Sequence, residues 1–150
     1  MQIRMDLQFD FRLHEDRSGL AGTQYFEFAP GRYRKPWAPG SRYIHEYTFS
    51  LVEGVLESRV PGYDHFAFVE VPRPMWLPIL RDLAVLRAAL DDSATGARVT
   101  LPYGFTLNVQ AAFEEALETN QRALSALLVD LESWLHRTLA DHDVVSVLGL

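Results

Sequence analysis

The sequence predicts an α+β fold, a single domain spanning residues 1–150 in which three helices pack mainly on one face of an antiparallel or mixed sheet. Three observations predict it. Ile3 to Leu13 alternates without an error, with Ile3, Met5, Leu7, Phe9, Phe11 and Leu13 apolar and Arg4, Asp6, Gln8, Asp10 and Arg12 polar, the signature of a strand with one buried and one wet face. Two later segments carry apolar residues at steps of three and four, the helical period. The chain then closes on a β-branched run, Val144 to Leu148, and a terminal strand is usually tied into a sheet.

The elements between these landmarks follow in order. His14 to Gly22 reads as a loop, and Thr23 to Phe28 as a short aromatic strand, the hairpin partner of the first. Pro30 to Gly40 holds three prolines and two glycines and reads as a loop. From Tyr43 to Ser58, Glu46, Ser50, Glu53 and Glu57 recur at helical spacing beside Phe49, Val52 and Leu56. This predicts a helix capped near Ser41 and stopped by Pro61-Gly62, with Gly54 costing about 1 kcal/mol relative to alanine. His65 to Val71 reads as a strand ending at Pro72.

Met75 to Leu90 is a predicted helix with the stripe Trp76, Ile79, Leu80, Leu83, Leu86 and Leu90, and Pro78 is tolerable in its first turn. Asp91 to Gly96 is a turn, and Val99 to Tyr103 a short strand. The longest element is a helix from Val109 to about Ala140. Its seam of Phe113, Leu117, Asn120, Leu124, Leu127, Leu131, Trp134 and Thr138 steps by four and three. Packing within the domain is expected of this seam, with an intermolecular coiled coil as the alternative.

Composition bounds the function. No apolar run approaches the ~20 residues that cross a bilayer, and cysteine is absent, so disulfides and thiolate metal sites are excluded. With a strand starting at residue 3, no leader is expected, and a cytoplasmic protein is the reading. The net charge is −6, concentrated after residue 100, where seven acids stand against two bases. An acidic surface repels nucleic acid and favours basic partners.

No cluster of chemistry-bearing residues dictates a reaction. His136 and His142 are six apart, where a helical zinc pair needs four, and no metal or cofactor is expected. Glu46 and Glu53, about 10 Å apart on an unbroken helix, are too distant even for an inverting glycosidase pair. Gly19 to Gly22 lacks the lysine of a phosphate loop. One basic patch exists, the acid-free loop of Arg32, Arg34 and Lys35 with Trp37, which offers phosphate contacts and a stacking face.

The runs Gly62-Tyr63-Asp64-His65-Phe66 and Val69-Glu70-Val71-Pro72, then Trp76, Leu80 and Leu83, then Leu131, Trp134-Leu135 and the closing Ser146-Val147-Leu148-Gly149-Leu150, are similar to small bacterial toxin-immunity proteins. The resemblance covers roughly residues 45–150 and implies a non-catalytic protein that binds and blocks a toxin domain.

Three functional expectations result. The first is a non-catalytic cytoplasmic binding protein, an immunity protein for a basic toxin domain, contacting it through Glu114, Glu115 and Glu118 with Glu46, Glu53 and Glu57 as a second acidic stripe. The alternative is a small enzyme or ligand-binding protein with a pocket of Tyr43, His45, Tyr63 and His65. The second alternative is a nucleic-acid module using Arg32, Arg34, Lys35 and Trp37.

Overall fold

The four strands seen in this computed structural model, which describes residues 9–20, 24–92, 99–104 and 109–149, form one antiparallel sheet. β1 (Tyr25–Pro30) lies between β2 (Arg42–His45) and β4 (Val144–Leu148), and β3 (Phe68–Pro72) pairs with the far side of β4. The last strand is therefore internal, and its Val-Val-Ser-Val-Leu run suits a position buried on both faces.

Side chains alternate across the sheet, so its two faces are read directly from register. Phe26 opposes Ile44, and Phe28 opposes Val147, on the inner face. Glu27 opposes Tyr43 and Leu148 on the outer face. Helices pack against the inner face. Phe49 of α1 (Glu46–Ser50) places its ring 4.5 Å from that of Phe26 and 5.4 Å from that of Phe28. α2 (Glu53–Arg59) follows at once, and α3 (Arg73–Asp92) packs along α5 (Leu117–Asp141), which α4 (Gln110–Glu115) precedes. The fold is α+β, with five helices among the described residues where the sequence predicted three.

The extra helices come from two breaks. The helix expected over Tyr43 to Ser58 begins as β2, because Tyr43 and Ile44 fill sheet positions opposite Glu27 and Phe26; pairing overrides a local helical period. His45, not Ser41, caps α1, its Nδ1 accepting the Tyr47 N–H at 3.2 Å. The helix breaks again at Leu51–Val52. Gly54 is then a requirement, since a Cβ there would lie 2.6 Å from the Pro102 carbonyl oxygen, which accepts the Gly54 N–H at 2.9 Å.

The long C-terminal helix is broken at Ala116 (φ −132°, ψ 55°), and Asn120, the polar member of the seam, closes the break by donating its Nδ2 to the Phe113 carbonyl at 2.9 Å. Beyond it, Leu124, Leu127, Leu131 and Trp134 are buried inside the domain, with α5 laid along α3. The seam is intramolecular.

Two predicted strands are not seen among the described residues. Of Ile3–Leu13, residues 3–8 lie outside the described residues, and 9–13 form no ladder. Phe9, Phe11 and Leu13 still pack on the core, so in residues 9–13 the alternation marks a buried side without marking a strand. Asp10 takes the Arg12 N–H at 3.0 Å and the His14 ring at 2.6 Å, local bonds that compete with a ladder. His14 alone bridges to the β2 edge, exchanging bonds with Tyr43 at 3.0 and 2.9 Å. The expected hairpin partner, β1, pairs with β2 and β4 instead. Val99 to Tyr103 is likewise irregular, its backbone bonded to helix groups: the Val99 N–H donates to Gln121 Oε1 at 3.0 Å, and the Pro102 carbonyl accepts from Gly54. No helix among the described residues is long and apolar enough to cross a membrane.

Candidate functional site

Two buried glutamates organise the chemistry-bearing residues, one on each side of the sheet. On the inner side, Glu53 opens α2 and is fully buried. Its Oε2 accepts the Tyr63 hydroxyl at 2.8 Å, and both its oxygens lie 2.8 Å from His65 Nδ1. The other ring nitrogen of His65, Nε2, lies 2.7 Å from Glu46 Oε2. The break at Leu51–Val52 brings this about. On a continuous helix Glu46 and Glu53 would stand about two turns apart; with the axis broken, both reach one imidazole.

Burial alone pulls the His65 pKa down, but hydrogen bonds to Glu46 and Glu53 and their negative charge outweigh it and hold it above the ordinary value. An imidazolium donating to both carboxylates is the form this geometry favours. Burial and then the Glu53 charge push the Tyr63 hydroxyl far above its ordinary range, so it stays protonated and donates.

The sequence-predicted residues are therefore regrouped. Glu46 and Glu53 are not an acidic surface stripe, because they are turned inward to neutralise His65; Glu57 is exposed. Tyr63 and His65 meet, but Tyr43 and His45 do not join them. Tyr43 is buried on the outer face opposite Glu27, and His45 caps α1 with its ring 5.1 Å from Tyr25. Burial holds the His45 pKa below its ordinary value. Among the described residues, no group of three or more His, Asp or Glu side chains is disposed to hold a metal ion.

On the outer side, Glu27 of β1 is 4% exposed. Its Oε1 accepts the Trp37 N–H at 2.7 Å, and its Oε2 accepts the Ala38 N–H at 3.0 Å and the Ser41 hydroxyl at 2.7 Å. Ser41, expected as a helix cap, is a ligand of this carboxylate. Three donors around one anion fix the loop between β1 and β2 against the sheet. Two further bonds hold the same loop. The Ser146 hydroxyl donates to the Gly31 carbonyl at 2.8 Å, and the Tyr33 N–H donates to Glu70 Oε2 at 2.9 Å.

The clamp holds Trp37 in an unusual state. Its φ is +60°, among the described residues the only positive value outside glycine, and that region costs an L-residue roughly 1–2 kcal/mol. Its side chain is nevertheless 58% exposed, with the Arg17 guanidinium 4.9 Å above the ring. Beside it lie Phe66 (55% exposed) and Phe68 (52%). Together with Tyr25, Pro36 and Leu148 they wall a cleft of about 240 Å³. A second cavity, of about 390 Å³, lies between α2, α3 and Pro102. Neither is lined by Tyr43, His45, Tyr63 or His65.

Compared with protein-family models, curated proteins and solved structures, the chain matches none.

The remaining predicted residues are at the surface. Arg32, Arg34 and Lys35 are exposed on the clamped loop. Arg42 is turned back, bonding the carbonyls of Gly40 and Ser41 and lying 5.8 Å from the Trp134 ring. Glu115 and Glu118 are exposed and Glu114 half-buried at the α4–α5 junction, with Glu118 paired to Arg122 at 2.8 Å. Sequence reasoning missed Glu27, Phe66 and Phe68. The signal available was a lone acid in an aromatic strand, Tyr-Phe-Glu-Phe, ahead of a loop with no acids.

Proposed function

We propose that this protein is a non-catalytic binding protein, and that it engages a protein partner through the aromatic cleft on the outer face of its sheet. The observation that supports this reading is Trp37, exposed yet held at a strained φ by the buried Glu27 carboxylate. Strain of this kind persists where the surroundings over-determine it, and it clusters at binding sites. Trp, Tyr and Phe are the residues that dominate binding energy at interfaces, and pre-positioning them lowers the cost of ordering. On the inner side, by contrast, His65, Tyr63, Glu46 and Glu53 bind one another.

The toxin-immunity resemblance supplies the setting: the partner would be a toxin domain, and Glu115 and Glu118 would steer a basic one. The test is titration calorimetry with the C-terminal domain of a toxin encoded beside this gene. A complex is expected, weakened about 30-fold by Trp37→Ala, as for a central interface tryptophan. Absence of a complex, or one indifferent to Trp37→Ala, overturns the reading.

A further inference from the structure

The outer edge of the sheet adjoins the cleft, and its backbone geometry adds a second recognition element. β3 pairs only with β4 among the described residues. The Gly149 N–H donates to the Ala67 carbonyl at 3.0 Å, and the Arg73 N–H to the Asp143 carbonyl at 2.7 Å, one at each end of this ladder. In an antiparallel pair, bonded positions alternate. Residues 67, 69, 71 and 73 therefore turn their backbone groups to β4. Phe68, Glu70 and Pro72 turn theirs outward. Among the described residues the N–H and carbonyl groups of Phe68 and Glu70 have no strand partner and form an open edge, while the Pro72 carbonyl leads into α3, which starts at Arg73. Pro72, with no N–H, limits it at one end.

The other edge is partly covered, since His14 bridges to Tyr43 of β2. The β3 edge is also the one that carries the cleft: Phe68 is both an edge residue and a cleft wall. The clamped loop reaches the same place, because the Tyr33 N–H binds Glu70 and the Tyr33 ring lies 4.8 Å from that of Phe68. Arg32, Arg34 and Lys35 flank Tyr33 in sequence, are exposed, and belong to a loop with no acid from Pro30 to Arg42. In a chain of net charge −6, this loop sets three exposed bases beside an edge whose own acid, Glu70, is bonded to the Tyr33 N–H.

We infer that β3 accepts an extended acidic segment of a partner protein as a fifth strand, with an aromatic or large aliphatic side chain of that segment seated in the Trp37 cleft. Main-chain bonds to Phe68 and Glu70 supply affinity, and the cleft and the basic loop supply specificity. The edge favours a polypeptide over a nucleic-acid strand, because a row of alternating N–H and carbonyl groups complements another backbone. This inference rests on the outer face being the binding surface.

The experiment uses the full chain with capped heptapeptides that alternate Phe or Val with Asp or Glu, against peptides with Lys at the acidic positions and against single-stranded oligothymidine. Amide exchange by NMR is the readout. The acidic peptides are expected to bind, to protect the Phe68 and Glu70 N–H groups from exchange, and to quench Trp37 fluorescence. Glu70→Pro removes one outward donor without touching the β4 ladder, and also the carboxylate that holds the Tyr33 N–H; it should weaken binding at least about tenfold relative to Glu70→Ala, which removes the carboxylate alone. Arg34→Glu combined with Lys35→Glu, at exposed positions, should do the same and provides a test should Glu70→Pro fail to fold.

Equal binding of the Lys peptides overturns the charge assignment. Oligothymidine binding without protection at Phe68 and Glu70 assigns the face to nucleic acid and overturns the inference, as does concentration-dependent dimerisation that protects the same amides. No peptide binding at about 1 mM, the weak end of specific recognition, also overturns it. If a toxin domain binds in a Trp37-dependent way while the Glu70 N–H stays exchangeable, the edge inference fails and the binding reading stands.

Discussion

Glu53 and Glu27 are both buried carboxylates that accept several hydrogen bonds, yet they do opposite things for the molecule. Glu53 gathers side chains, the Tyr63 hydroxyl and the His65 ring, into the interior. Glu27 gathers backbone amides, those of Trp37 and Ala38, and so shapes a surface loop. A buried charge costs free energy unless it is bonded, and what it is bonded to decides whether the outcome is cohesion or presentation. The inner cluster ties α1, α2 and the turn before β3 together. The outer clamp spends comparable bonding on holding an exposed tryptophan in place.

The largest expected effect is on the inner cluster. Glu53→Ala removes a carboxylate that compensates a buried imidazolium and should destabilise the fold by about 3–5 kcal/mol, read as a lowered urea midpoint. Glu53→Gln, which keeps an acceptor, should cost less. If both variants unfold at the wild-type midpoint, the cluster is not what joins the inner elements.

Glu27→Ala comes next. It strands two amides and a hydroxyl at the base of a loop that water can reach, so a smaller loss of about 1–3 kcal/mol is expected. Exchange at the Trp37 and Ala38 amides should rise far more than exchange in β4. Uniform loosening of the whole sheet would mean that Glu27 consolidates the core as Glu53 does, and the contrast would dissolve.

The inner cluster also has a pH signature. The His65 pKa is raised in the folded state, so its contribution is fully present below the unfolded value of about 6.5. It is lost as pH rises through the higher folded value. Stability should therefore fall with rising pH over that interval, and His65→Gln should flatten the fall. His45 acts in the opposite sense, because its pKa is lowered and its contribution is lost as pH falls. A profile unchanged by His65→Gln would show that folding leaves the His65 pKa where it is in the unfolded chain.

How far these regions were legible in the sequence follows from what each depends on. The α3 and α5 stripes were read correctly because helix packing repeats in the sequence itself, and Trp134 is core as its seam implied. Glu46 and Glu53 were read as one helical face because their spacing is helical; the break at Leu51–Val52, which turns both onto His65, depends on Gly54 meeting Pro102 from far along the chain. Glu27 stayed hidden for the same reason, since its partners lie ten to fourteen residues away across a loop whose path no local pattern sets. Phe66 and Phe68 looked like ordinary strand residues, and only the strand order reveals that β3 is an edge.

The smallest effect on stability should come from the residue with the largest expected effect on binding. Trp37→Gly removes an L side chain from φ +60°, relieving roughly 1–2 kcal/mol of backbone strain. Against this stand the greater freedom of glycine in the unfolded chain, roughly 0.5–1 kcal/mol, and the loss of the Arg17 stacking contact, about 0.5–1 kcal/mol at an exposed site. These terms nearly cancel, so the urea midpoint should stay close to wild type while partner binding falls sharply. Trp37→Ala keeps the strain and loses the contact, and should be slightly less stable than Trp37→Gly. That ordering separates a strained, presented tryptophan from one that merely covers the sheet, for which both variants would destabilise and alanine would be the milder change.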